Sequence, residues 1–286
     1  MPSDSDDIAI RVEDLRITYQ TWVESEPTLV RSMQNLRRRK RSTETVNAVQ
    51  GVSFEVPRGS VLGMVGPNGS GKSTILRALA GILRPTSGRI TLHGRVTPLL
   101  SLGVGFNFQL SGHENIKLGG LLAGMELSEI REKTPEIIEF SGLGDAINRP
   151  IRTYSNGMFT RLAFSVAVFM DPEIILIDEV LAAGDAEFRF RSAEKILKLM
   201  EDDTTVVFVS HTHGELKTLS DRCLWLEDGV VVQEGEPAAV VNAYEDHHGV
   251  HQPDLELDEE KGAFSFVWRP DAPGAGGPVA GSPTSS

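Results

Sequence analysis

One cysteine, Cys223, stands alone among 286 residues, so no disulfide can close within the chain and nothing favours an oxidising compartment. Basic residues are also short: 28 Lys and Arg face 40 Asp and Glu, a net charge of −12. Binding to a nucleic-acid backbone depends on cations that neutralise phosphates, so this balance excludes wholesale attraction and leaves room only for a local patch. Arg37, Arg38, Arg39, Lys40 and Arg41 form one. It reads as a solvated loop inserted between two strands, with contact to phosphates or anionic lipid headgroups as the alternative. No run of about 18 apolar residues occurs, which excludes a membrane-spanning helix. The start, MPSDSDDIAI, lacks the basic and apolar regions of a signal peptide, so the chain is expected to stay where it is made. No internal repeat is present. Apolar residues make up 40% of the chain, an ordinary share for a globular core.

The runs IAIRV, VSFEV, VLGMVG, RITLHG, IILID, TVVFVS and CLWLE read as strands, and helical patterns separate several of them. That alternation indicates an α/β domain. Residues 113–140 and 155–170 carry helical spacing with no strand-like run between them, which suggests a helical insert over about 110–171. After residue 246 the composition shifts to Pro, Gly, Ser and acid, ending in PDAPGAGGPVAGSPTSS. Residues 247–286 therefore read as a disordered tail, unable to bury enough apolar surface to offset ordering entropy.

GPNGSGKST, residues 66–74, follows the apolar run VLGMV and opens the helical pattern STILRALAGIL. Strand, loop and helix in that order are the context a phosphate-binding loop requires. Gly66, Gly69 and Gly71 let the backbone wrap an anion without Cβ clashes, with Pro67, Asn68, Ser70 and Thr74 completing the loop. The helix start adds unpaired N–H groups and its dipole. Lys72 supplies positive charge to the outer phosphates, and the Ser73 hydroxyl suits Mg²⁺. IILIDE, residues 174–179, is a buried strand ending in two acids, and buried carboxylates need a partner to offset desolvation. Mg²⁺ is that partner: Asp178 is expected to hold it through water, leaving Glu179 to accept a proton from an attacking water.

TYSNGMFTRLAFSVA, residues 153–167, contains a second small-residue helix start. Ser155 can cap the helix, and Gly157 removes a side chain where a ligand would approach. Apolar residues at 158, 162, 166, 169 and 170 give the helix one buried stripe. One phosphate site needs only one such start, so the second is expected to serve another subunit: in a head-to-tail dimer, Ser155 of one copy caps the γ-phosphate on the other's loop.

In that order, GPNGSGKST, YSNGM, IILIDE, LAAGD and VSH resemble the motif set of ABC transporter ATPases, across most of residues 8–246. YSNGM stands where that family usually reads LSGGQ, so Asn156 replaces a glycine and Met158 a glutamine. Together with LLSLGVGFNFQLSGHENI and DEVLAAGDAEF, the set most closely resembles the ATP-binding subunits that export O-antigen, teichoic acid, capsule and related lipid-linked glycans. The resemblance implies an ABC ATPase domain over residues 1–246, with a parallel-sheet core, a small antiparallel β subdomain and a helical subdomain. It implies that His211, after TVVFVS, orients the attacking water at the γ-phosphate, and that Gln109, which follows the Gly-rich strand end LGVGFNFQ, touches Mg²⁺ while leaning on a membrane partner. Asp185 resembles an acid that crosses the dimer interface; an N-cap of the helix AEFRFRSAEKIL is the other reading. Tyr19 either stacks on adenine or is an ordinary strand aromatic. His213 reads as the start of a surface helix. HHGVH, residues 247–251, suggests metal by composition only and is declined.

The function so implied is an ATPase that works as a homodimer, closes on two Mg·ATP and reopens after hydrolysis. Having no span, it must pass that motion to a separate permease from the cytoplasmic face of the membrane, and the implied cargo is a lipid-linked polysaccharide moving outward. Alternatives are an ABC ATPase for another exported cargo, or a soluble one acting on DNA or ribosomes. The DNA-repair type carries long coiled coils, and no heptad run occurs here; the ribosomal type carries two ATPase domains, and this chain has one. A binding module without turnover would be expected to lose Lys72 or Glu179. No nucleic-acid partner is expected. The single strand-like run AFSFVW could dock on the ATPase domain but cannot form a sugar site unaided, so removing residues 252–286 is expected to leave hydrolysis and export largely intact, with any loss appearing as lower stability.

Overall fold

The computed structural model describes residues 7–23, 42–178, 185–252, 254–258 and 263–267. VLGMV becomes β3 (Val61–Val65), buried along its whole length between β7 (Thr205–Val209) and β8 (Arg222–Glu227) and parallel to both. A strand covered on both faces needs an apolar side chain at every position, which is why these strands read as continuous runs. Outside β7 lie β6 (Ile174–Asp178) and β5 (Val96–Pro98), both parallel, and β9 (Val230–Gly235) runs antiparallel to β8. The order across this six-stranded sheet is β5-β6-β7-β3-β8-β9. Neither β5 nor β9 was expected from the sequence: β5 has three residues, and β9 is a half-exposed edge whose apolar run is only the three valines at 230–232.

A second, antiparallel sheet has β1 (Ile8–Val23) between β2 (Ser42–Pro57) and β4 (Ser87–Leu92). Successive side chains of a strand leave on opposite faces. Leu62 and Met64 of β3 enter one core with Ile10 and Leu15 of β1, and with Leu76 and Leu79 of α1 (Lys72–Leu79). Val61 and Val65 enter the opposite core with helices α4 (Asn156–Phe169), α5 (Ala186–Glu201), α6 (His213–Leu219) and α7 (Pro237–His248). Cys223 sits fully buried there, and burial pushes its thiol up to about 12.

Helices α2 (Gly112–Leu122) and α3 (Leu127–Ser141) join α4 in a third core around Ile116, Ile130, Ile137 and Leu162. The single stripe expected for α4 is corrected. Leu162 and Val166 face the helical core while Phe164 and Val168 face the sheet, so α4 is shared by two cores. The expected boundary at residue 246 falls inside α7, which ends at Gly249 with φ 64°. Within the stretch read as a disordered tail, β10 (Asp254–Asp258) and β11 (Ala263–Val267) pair antiparallel, and β10 packs against α6. β11 falls on the strand-like run AFSFVW, whereas β10, the acidic DLELD, was not expected from the sequence. Arg37–Arg41 and residues 268–286 lie outside the described residues. Among the described residues no helix is long and apolar enough to cross a membrane.

Candidate functional site

The loop from the carboxyl end of β3 to α1 owes its shape to glycines. Gly71 has φ 106°, and a Cβ there would stand 2.6 Å from the Ala48 carbonyl oxygen; a Cβ on Gly66, at φ 150°, would collide with the Leu226 carbonyl. Only glycine tolerates both the left-handed backbone and so close an approach. Residues 68–74 line a small cavity of about 130 Å³. Lys72 is 6% exposed, and its Nζ donates to the carbonyls of Gly66 (2.6 Å) and Pro67 (2.9 Å) and to Ser70 Oγ (3.3 Å). These three acceptors are neutral, and a charged acceptor such as a phosphate makes the stronger bond to an ammonium.

Ser73 Oγ donates to Asp178 Oδ1 at 3.2 Å, joining residues 105 apart in sequence. The fold thus sets a hydroxyl and a carboxylate side by side at the start of α1 and the end of β6. Oxygen ligands of this kind suit a hard cation such as Mg²⁺, which keeps several waters and takes one or two protein ligands beside phosphates. The donor set therefore fits the ion expected there. Glu179 follows Asp178 directly and lies outside the described residues. The Tyr19 hydroxyl donates to Thr74 Oγ1 at 3.5 Å, which puts this aromatic beside the loop's exit while it also packs on the first core.

Ser155 caps α4 by accepting from the Met158 N–H at 3.2 Å. A Cβ on Gly157 would meet nothing closer than Ser155 Oγ at 3.9 Å, so packing does not demand glycine there. Both residues line an open cavity of about 620 Å³ together with Gly142, Leu143, Met158, Arg161 and Asp185. It shares no lining residue with the phosphate-loop cavity. Asp185 caps α5, accepting from the Phe188 N–H at 2.9 Å, and pairs with Arg161. Of its two readings the cap is present within the single chain, and the acid still opens onto the cavity that holds Ser155. The sequence reading missed Arg161; its signal was position, one helical turn beyond Gly157 on the same face.

His211 lies two residues past β7 and is exposed, and its carbonyl accepts from Gln252 Nε2 at 3.0 Å. His213 begins α6 as expected, but the surface placement is corrected: it is 6% exposed, with Nδ1 2.7 Å from Glu245 Oε1. Tyr244 of α7 stands edge-on to its ring at 5.4 Å. Burial raises the Glu245 carboxyl, yet hydrogen bonds from His213 and the Gln252 N–H, with the Lys217 charge, outweigh it and leave the group below the usual 4.5.

Gln109 does not follow a strand end. β5 stops at Pro98, and turns carry the chain to an exposed Gln109 whose N–H donates to Asn107 Oδ1 at 2.9 Å. Among the described residues no hydrogen bond joins it to Ser73 or Asp178. The loop is organised instead by the fully buried Asn115, which donates to the carbonyls of Asn107 (3.0 Å), Leu110 (3.3 Å) and Ser111 (2.8 Å). An asparagine on the buried face of GHENIKLGGLL was the signal for it. In HHGVH the structure supplies the geometry that composition lacked: His247 and His248 sit on α7, and His248 Nε2 lies 3.4 Å from Glu227 Oε2.

The family model described as ABC transporter matches residues 49–182. The O-antigen export system ATP-binding protein RfbB of Myxococcus xanthus is 39% identical over 236 residues, which cover 82% of this chain and 53% of that protein. RfbB of Klebsiella pneumoniae is 40% identical over 69% of this chain and 80% of its own length. The teichoic acids export ATP-binding protein TagH of Listeria innocua serovar 6a is 41% identical over 70% of this chain and 59% of its own. The chain thus spans about half the length of the Myxococcus relative. Among solved structures, an ATP-binding subunit of an ABC transporter superposes with a TM-score of 0.65 at 19% identity, covering 86% of this chain and 95% of that one. The dimeric post-hydrolysis cassette MJ0796 bound to ADP and Pi gives 0.60 at 22%, covering 80% and 98%. At these identities the superpositions establish the fold.

Proposed function

The chain belongs to the ABC transporter family, 40% identical to a relative whose length it covers to 80%, and on that premise we propose that it is the ATP-hydrolysing subunit of an exporter for a lipid-linked polysaccharide. It works as a homodimer beneath a separate polytopic permease, at the cytoplasmic face of the membrane. The contact between Ser73 Oγ and Asp178 Oδ1, at 3.2 Å beside a buried Lys72, is the observation that carries the ATPase reading. Mg²⁺ held by Ser73 and Asp178 supplies charge neutralisation to the outer phosphates. The N–H groups of residues 68–74 cradle the phosphates, and Lys72 turns from the Gly66 and Pro67 carbonyls to them. Glu179 takes the proton of the attacking water, and His211 orients that water.

The dimer reading is supported by Gly157, whose face is open although no packing in its own chain requires a glycine. Ser155 and Gly157 of one subunit then close on the nucleotide held by the other. For the permease, exposed Val104, Phe108 and Leu122 give an apolar surface beside the Gln109 loop, with Phe108 stacked on Phe159 at 5.7 Å. The cargo class is supported by what the curated relatives are named for exporting. Depletion of the protein tests it: a lipid-linked glycan accumulates on the inner side of the membrane, and the protein co-purifies in detergent with a polytopic partner. Normal surface glycan after depletion would sink the cargo assignment.

A further inference from the structure

Gln252 follows the end of α7 by four residues, in the stretch that sequence reading treats as dispensable. Its side-chain amide makes two bonds to one short segment: Nε2 donates to the His211 carbonyl at 3.0 Å, and Oε1 accepts from the His213 N–H at 3.0 Å. A carbonyl at one residue and an N–H two residues on are the pair that a neighbouring β-strand would satisfy. The amide thus stands in for a strand beyond the end of β7 and holds the entry into α6, where Thr212 is extended at φ −91° and ψ 103°.

The opposite side of the loop is fixed locally, since the Thr212 N–H donates to Ser210 Oγ, which in turn donates to Glu215 Oε2 at 2.5 Å. Gln252 itself is anchored at its backbone, whose N–H donates to Glu245 Oε1 at 3.2 Å. Glu245 is 4% exposed and takes His213 Nδ1 (2.7 Å) and Lys217 Nζ (3.2 Å) as further partners. From α7 through Glu245 and Gln252 to the His211 loop there is an unbroken chain of hydrogen bonds.

We infer that Gln252 is a positioning residue for His211, and that the chain running from Gln252 into β10 is thereby tied to the rate of ATP turnover. This rests on the role proposed above for His211. It also reverses the expectation that everything from residue 252 onward can be removed without loss of hydrolysis, because such a deletion removes both bonds to the loop.

The test uses the full chain with three substitutions measured together. Gln252→Ala is expected to lower kcat about tenfold with KM for ATP unchanged, since a small misplacement of a catalytic group costs rate before it costs binding. Gln252→Glu keeps the shape and the acceptor for the His213 N–H but sets an acceptor against the His211 carbonyl, and should fall at least as far. Hydrogen exchange at the His213 amide should quicken in Gln252→Ala while the melting temperature stays near wild type. A wild-type kcat in both Gln252 variants, with His211→Ala inactive, overturns the inference alone. A wild-type kcat in His211→Ala overturns the role of His211, and the inference falls with it.

Discussion

The phosphate loop and the His211 loop both follow the carboxyl ends of parallel strands, β3 and β7, yet they are held in different ways. The phosphate loop is shaped largely from within: its left-handed glycines and the Lys72 bonds to Gly66, Pro67 and Ser70 lie in the segment 66–74, and outside ties such as the Gly229 N–H on the Ser70 carbonyl (3.1 Å) and Asp178 on Ser73 (3.2 Å) add to them. The His211 loop is fixed on one side by its neighbours Ser210 and Glu215 and on the other from outside, by an amide 41 residues away in sequence. A loop whose backbone dihedrals are set by its own glycines carries much of its shape in its own residues. One held at a distance follows the element that holds it, and so can be set by what happens there.

The largest expected effect tests chemistry at the first loop. Glu179→Gln keeps the shape of the base but cannot take a proton, so kcat should fall by roughly 10²- to 10⁴-fold at unchanged ATP affinity. Light scattering should then show an ATP-trapped dimer. Wild-type turnover would remove Glu179 from its assigned role.

Next comes the composite site proposed between the first loop and a partner subunit. Ser155→Arg should cut turnover on the order of 10²-fold, the cost of losing one well-placed donor group, while the isolated subunit binds nucleotide as before. Mixed with Lys72→Ala subunits, it forms heterodimers in which both defects fall on one site and leave the other intact. Nucleotide trapping at that one site should be measurable in the mixture, and its absence would count against head-to-tail pairing.

The glycine-set shape of the phosphate loop is itself open to attack. Gly71→Ala places a Cβ 2.6 Å from the Ala48 carbonyl at φ 106°, and should destabilise by about 1–3 kcal/mol. Gly69→Ala meets no atom within 4 Å at φ 84° and should cost only the backbone strain, about 1–2 kcal/mol. Thermal melts that order these two the other way would show that close approach does not shape the loop.

The smallest effect concerns the second loop's anchor. Glu245 is lowered from 4.5 in the folded chain, so its contribution is fully present above that ordinary value and is lost as pH falls through the folded one. The melting-temperature gap between wild type and Glu245→Gln, clear at neutral pH, should therefore narrow on acidification below about pH 4.5. A gap independent of pH would mean that the carboxylate charge does not hold the anchor.

The same contrast explains what could be read in advance. GPNGSGKST carries its conformation in consecutive residues, and β3, β6 and β7 are almost wholly apolar, so the centre of the sheet and the loop that follows β3 were legible while β5 and β9 were not. Ser73 and Asp178 were matched by chemistry before the structure brought them together. His213 was misplaced because its partner Glu245 lies 32 residues on, beyond any periodic pattern. Gln252 was invisible for the same reason, in a stretch whose composition pointed to disorder. The turns around Gln109 were taken for a strand end because the glycines of LGVGFNFQ follow an apolar run, while the residue that orders them, Asn115, sits on a helix.

Cys223 offers an experimental convenience. Fully buried in the sheet, with a thiol held at about 12, it presents almost no thiolate at neutral pH for a maleimide to attack. The native sequence is thus already a silent background for site-specific labelling. A single cysteine introduced at an exposed position such as Glu187 would accept a dye or spin label alone. Two labelled copies could then report, by the separation of their probes, each opening and closing of the assembly during turnover.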